Sequence, residues 1–161
     1  MTKNEVVQLF SALNQLGALK GVKMAYGVSR NLALLKPELE SLEKASAPTD
    51  EYKKFDELRI EMVKKFAKKD DKGEPVITGN EFELEDKAGM EKAFDELKAE
   101  HKEVWDARMK QMEEYNELLK TDSSVVLYKI NLSDVPADIT VAQLHGISAI
   151  ISEDIVSPFG K

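Results

Sequence analysis

Apolar residues recur at helical spacing along most of the chain. Thr2 and Glu5 stand at capping-box separation, and Val6, Phe10, Leu13 and Leu16 follow, which predicts a helix from about Asn4 to Leu16 that Gly17 stops. A second stripe, Val22, Ala25, Tyr26, Ser29, Leu32, Leu35, Leu39 and Leu42, predicts another helix, kinked or restarted at Pro37 and closed by Ser46-Ala47-Pro48. Thr49 caps a third, with Asp50 and Glu51 in its first turn, Phe55, Leu58, Met62 and Phe66 as its stripe, and lysines in its last turns.

The period then changes. Between Glu74 and Glu85, Val76-Ile77 and the alternating Phe82 and Leu84 flank Thr78-Gly79-Asn80, which predicts a β-hairpin. Asp86 caps a single long helix, Lys87 to about Lys120, with a near-heptad, coiled-coil-like seam through Met90, Phe94, Leu97, His101, Trp105, Met112, Tyr115 and Leu119. Ser124 to Leu132 reads as a strand buried on one face, with Val126, Tyr128, Ile130 and Leu132 on one side and Val125, Leu127, Lys129 and Asn131 on the other. Thr140 and Gln143 repeat the capping-box spacing ahead of a last helix, Thr140 to about Glu153, and residues 157–161 carry no pattern.

The expected fold is mostly α in the α+β sense. A base is made of the N-terminal helices (1–48) and the closing strand and helix (123–156). Residues 49–122 form an antiparallel helical arm tipped by the hairpin, and 157–161 are a loose tail. At 1.5 Å per residue the long helix, at roughly 50 Å, outruns the third by about 20 Å, so its excess must pack on the base.

Charge sharpens this division. The chain carries −7 over 161 residues, and residues 49–122 hold 22 acids and 15 bases, so the flanking segments are neutral. An acidic chain lacks the clustered cations that phosphate neutralisation requires, which argues against direct nucleic-acid binding. Apolar stretches fall short of the ~18 residues of a membrane span, and the N-terminus enters its amphipathic pattern without the apolar block of a secretory signal. The absence of cysteine removes thiolate chemistry and disulfides and fits a reducing compartment.

Candidate chemistry is sparse. Gly17, Gly21 and Gly27 lack the spacing of a phosphate loop and fit close helix packing instead. His101 and His145 have no metal-site spacing; His101 reads as a packed seam residue, with titration near neutrality as its other role. Asp70, Asp71 and Glu74 resemble a calcium ligand set without the EF-hand order. Carboxylate pairs such as Glu96 and Glu100 are too numerous to single out an acid–base pair. The expectation is a protein that is no enzyme, with no catalytic residue, metal or cofactor. Tyr26, Arg30 and Asn31 form the one polar cluster on an apolar helix: either Arg30 pairs internally with an acid of the long helix, or Arg30 and Asn31 bind a carboxylate or phosphate. Trp105, Met109, Met112 and Tyr115 either pack in the seam or anchor a protein partner, with Glu100, Glu103 and Glu113 supplying charge.

Leu13-Asn14-Gln15-Leu16, Val22-Lys23-Met24-Ala25-Tyr26 and Arg30-Asn31-Leu32 carry a likeness to a known family, as do the Lys69–Gly73 turn and the run Leu127 to Pro136 with Ile139-Thr140. Over nearly its whole length the chain resembles a family of small, uncharacterised tailed-bacteriophage proteins, and its arm resembles prefoldin subunits, from which the closing strand and helix depart. The resemblance implies a phage origin and the cytoplasm of a bacterial host. Together these features lead to an acidic, homo-oligomeric interaction or assembly protein that engages or inhibits a host or phage protein. The alternative is a small-ligand binder that sequesters an anionic nucleotide signal at Tyr26, Arg30 and Asn31.

Overall fold

The computed structural model describes residues 1–16 and 21–152. The fold is mostly α with two small two-stranded sheets: α1 Lys3–Asn14, α2 Val22–Ser46, α3 Asp50–Phe66, β1 Ile77–Thr78, β2 Glu81–Phe82, α4 Lys87–Glu100, α5 Lys102–Lys120, β3 Ile130–Asn131, α6 Val141–Gly146 and β4 Ile151–Ser152. The expected stop at Gly17 and the tail at 157–161 lie outside the described residues. The chain divides into two compact units, Met1–Ala45 with Tyr115–Lys161, and Ser46–Glu114.

In the first unit, the Thr2 capping box forms as its spacing requires and starts α1, whose Val6, Leu9, Leu13 and Leu16 enter the core. The chain beyond α5 straps this start down: Lys3 N–H donates to Thr121 C=O (2.9 Å) and Ser123 N–H to Met1 C=O (2.8 Å). Pro37 neither ends nor restarts α2, which runs unbroken through it. The first half of α2 is rotated relative to its apolar stripe: Met24, Gly27 and Asn31 are buried, whereas Val22 is 88% exposed and Tyr26 54% exposed. In the second half the stripe faces inward as expected, with Leu35 and Leu42 buried and Leu32 and Leu39 half-buried. Gly27 explains the rotation: a Cβ at this position would lie 2.5 Å from the side chain of Ile130, so only glycine admits β3 this close.

The segment before β3 alternates as a strand does, with the face of Val125 and Leu127 turned inward. Val125 and Leu127 pack on the core, while Val126 is 82% exposed. The phase slips at Lys129, so that Ile130 is buried. No ladder forms over Ser124–Lys129; a side chain replaces it. The buried Asn31 accepts from Tyr128 N–H (2.9 Å) and donates to Tyr128 C=O (2.8 Å) and to Gly27 C=O (2.9 Å). The last helix is also shorter than its pattern suggests. Thr140 and Gln143 form the capping box, but α6 ends at Gly146, and after a 3₁₀ turn Ile151 pairs in parallel with Ile130. Gly146 lies against α1, where a Cβ would meet that of Ala12 at 3.1 Å, and Ile147 and Ile150 then fill the core. The isoleucines that read as a helical stripe are β-branched and serve a turn and a strand.

In the second unit α3 packs against α4, and Phe55 is its one fully buried aromatic side chain among the described residues. The expected single long helix is bent into α4 and α5 at His101 (φ −109°, ψ 34°). Hydrogen bonds cross the bend, from His101 N–H to Leu97 C=O and from Trp105 N–H to His101 C=O, each 3.0 Å. Neither proline nor glycine lies there, so no local signal marks it. The bend sets the ring of His101 edge-on to Phe55 (5.8 Å), which ties its position to tertiary packing. At the tip, β1 and β2 form the hairpin around Gly79 (φ +66°). Residues leaving α3 extend it: Lys68 N–H donates to Glu83 C=O (2.7 Å) and Val76 N–H to Lys68 C=O (2.8 Å). Asp70, one of the calcium-like acids, accepts from the N–H groups of Lys72 and Glu74 (both 2.9 Å) and closes the turn.

Two stability predictions follow from these contacts. Asn31→Leu leaves the N–H and C=O of Tyr128 without partners and should cost about 1–3 kcal/mol in denaturant unfolding; a loss no larger than that of the exposed Ser29→Ala would show that the carboxamide does not hold the strand. Phe55→Ala should destabilise by about 3–5 kcal/mol, and a change matching Glu96→Ala would mean that the aromatic cluster contributes nothing to the second unit.

Candidate functional site

The richest side-chain constellation lies in the first unit, where α2 meets the chain entering β3. Tyr26 and Arg30 stand four residues apart and so share one face of α2. The Arg30 guanidinium donates to Tyr26 Oη (2.9 Å) and lies over the ring of Tyr128, 5.0 Å from its centroid. The two tyrosine rings meet edge to face, with centroids 5.7 Å apart and planes at 88°. This arrangement fixes the guanidinium by one hydrogen bond and one cation–π contact, neither of which neutralises its charge. No ion pair reaches Arg30 among the described residues, so the internal pairing with an acid of the long helix does not form there.

Asn31 turns the other way. It is fully buried, and both its amide hydrogens and its carbonyl are engaged with Gly27 and Tyr128, so it holds Tyr128 in place while Arg30 faces solvent. Beside the tyrosines is a pocket of about 240 Å³ lined by Val22, Lys23, Lys129 and Asp134 among others. Lys23 pairs with Asp134 at 2.8 Å, and this hydrogen bond and the attraction of the carboxylate raise the lysine pKa above its ordinary value. Lys129 Nζ donates to Ala149 C=O (2.6 Å). The guanidinium and the pocket together carry three cations and one carboxylate, a local positive surface on an acidic chain.

The residues expected to anchor a partner fall on α5, and the structure separates their environments. Trp105 is half-buried, with its ring 5.8 Å from Phe55 and 5.7 Å from Phe94, and Lys98 Nζ lies 5.8 Å from the ring centroid. Met109 is 37% exposed, while Met112 and Tyr115 are half-buried. Glu100, Glu103 and Glu113 all face solvent. A second pocket, of about 450 Å³, opens between the start of α3 and α5 beside Glu103. Arg108 organises it, lying over Tyr52 (5.2 Å) and donating to Ser46 C=O (2.8 Å), while Gln111 donates to Ala47 C=O (2.9 Å).

Lys23, Tyr128 and Lys129 did not stand out in the sequence. The one signal that could have found Tyr128 is the pair Gly27 and Asn31, one helical turn apart: a small residue and a carboxamide on one face mark where a backbone docks. No helix among the described residues is long and apolar enough to cross a membrane. In comparisons with protein-family models, curated proteins and solved structures, the chain matches none.

Proposed function

We propose that this is a non-enzymatic interaction or assembly protein of bacteriophage origin, working as a homo-oligomer in the host cytoplasm, whose acidic unit engages a host or phage protein. The observation that carries this reading is the make-up of Ser46–Glu114. The unit holds 20 acids and 14 bases, its described residues include two fully buried hydrophobic side chains, Phe55 and Ala67, and neither α4 nor α5 buries any residue completely. A charged surface over so slender a core suits recognition by an oppositely charged partner. The exposed Leu58 and Met109 add apolar contacts of the kind that give an electrostatic encounter its residence time. The small-ligand alternative draws its support from the other unit, at Arg30.

Electrostatic steering weakens as the screening length falls from about 10 Å at 0.1 M salt to about 3 Å at 1 M. With a partner recovered by affinity capture, association should slow by tenfold or more across that series. The combined Glu100→Gln, Glu103→Gln and Glu113→Gln variant should slow it in low salt while keeping the melting temperature, because exposed substitutions change stability by less than about 0.5 kcal/mol. Rates indifferent to both salt and charge removal would assign recognition to the other unit.

A further inference from the structure

We propose that the face formed by Tyr26, Arg30 and Tyr128 binds a nucleoside monophosphate, with the phosphate on the guanidinium and the base in the adjoining pocket. The inference concerns the first unit, Met1–Ala45 with Tyr115–Lys161, and is independent of the acidic unit's role in protein recognition. Arg30 supplies the phosphate chemistry. Of its five N–H donors, one is committed to Tyr26 Oη, and no other hydrogen bond or ion pair to the guanidinium forms among the described residues. The remaining donors lie in the guanidinium plane, which the tyrosines orient, and can meet two phosphate oxygens side by side. That orientation exists before any ligand arrives, which lowers the ordering cost of binding.

The pocket supplies the selection for a base. Its volume of about 240 Å³ lies below the ~300–1,000 Å³ of sites for drug-sized ligands, so it suits one planar heterocycle rather than a larger molecule. Tyr26 and Tyr128 are both exposed and form the wall shared by the pocket and the guanidinium, and aromatic faces stack on any base. Val22, 88% exposed, gives the pocket an apolar lip. Lys23 and Lys129 oppose the single carboxylate of Asp134, so a dianionic ligand approaches a net positive surface. Asn31 makes the surface rigid, since its three hydrogen bonds fix Tyr128 to α2.

Isothermal titration of the full chain with adenosine, guanosine, cytidine and uridine monophosphates, with adenosine, and with inorganic phosphate tests this. A nucleoside monophosphate should bind at least tenfold more tightly than either adenosine or phosphate alone. Arg30→Ala should weaken binding by at least tenfold, and Arg30→Lys, which keeps the charge but not the planar fork, by several-fold. Tyr26→Ala should weaken the nucleotide more than it weakens phosphate. Circular dichroism melts confirm that each variant is folded, and Arg30→Lys serves if Arg30→Ala is not. No heat with any nucleotide at millimolar concentration, equal binding by phosphate and nucleotide, or full affinity in Arg30→Lys would each overturn the proposal.

Discussion

One buried carboxamide organises the first unit. Asn31 has no exposure to solvent and makes three hydrogen bonds, two of them to the N–H and C=O of Tyr128. A side chain thus does for Tyr128 what a neighbouring strand does in a sheet. An amide buried without partners costs about 1–3 kcal/mol, so the contact is as much a constraint as a gain: Asn31 and the main chain of Tyr128 satisfy each other, and neither is tolerated alone. Gly27 makes the approach possible, because the side chain of Ile130 occupies the space where a Cβ would stand. From this docking follow the burial of Ile130, its pairing with Ile151 and the filling of the core by Ile147 and Ile150.

The same docking builds the face of Tyr26, Arg30 and Tyr128. Tyr128 reaches Arg30 and Tyr26 because its backbone is held to α2 four residues from Gly27, on the turn that also carries Arg30. Neighbouring positions on one helix therefore have opposite duties: Asn31 is spent inward on structure, and Arg30 is left outward with its charge uncompensated. A guanidinium set over one tyrosine and bonded to another keeps both its charge and its direction, which is what paired hydrogen bonding to two oxygens of a phosphate needs.

The second unit holds together differently. Its centre is an aromatic cluster in which Phe55 meets Tyr52, His101 and Trp105, and Trp105 meets Phe94, all at centroid distances of 5.7–5.8 Å. Lys98 and Arg108 cover these rings with their own side chains, so cations close an apolar cluster that the sequence leaves half open. Most of its carboxylates stay in solvent, where each ion pair contributes little to stability, and they remain available to a partner.

Much of this was legible in the sequence, and for local reasons. Thr2 with Glu5, Thr49, Asp86 and Thr140 with Gln143 each cap a helix where their spacing indicates, because capping depends only on residues within one turn. The hairpin at Gly79 and the mostly α character rest on equally short-range signals. Tertiary structure decided the rest. The buried face of the first half of α2 could not be read from the apolar stripe, since Gly27 and Asn31 mark it and the partner of Asn31 lies 97 residues away. The bend at His101 has no proline or glycine to announce it and answers to packing on Phe55. Ile151–Ser152 reads as helix in the sequence because isoleucines four apart, Ile147 and Ile151, fit either period, and only pairing with Ile130 selects the strand. Arg30 was visible in the sequence as a candidate, but the tyrosine that completes its site was not. Spacing along a chain specifies which side chains share a helix face, and only the fold specifies which backbone will lie against it.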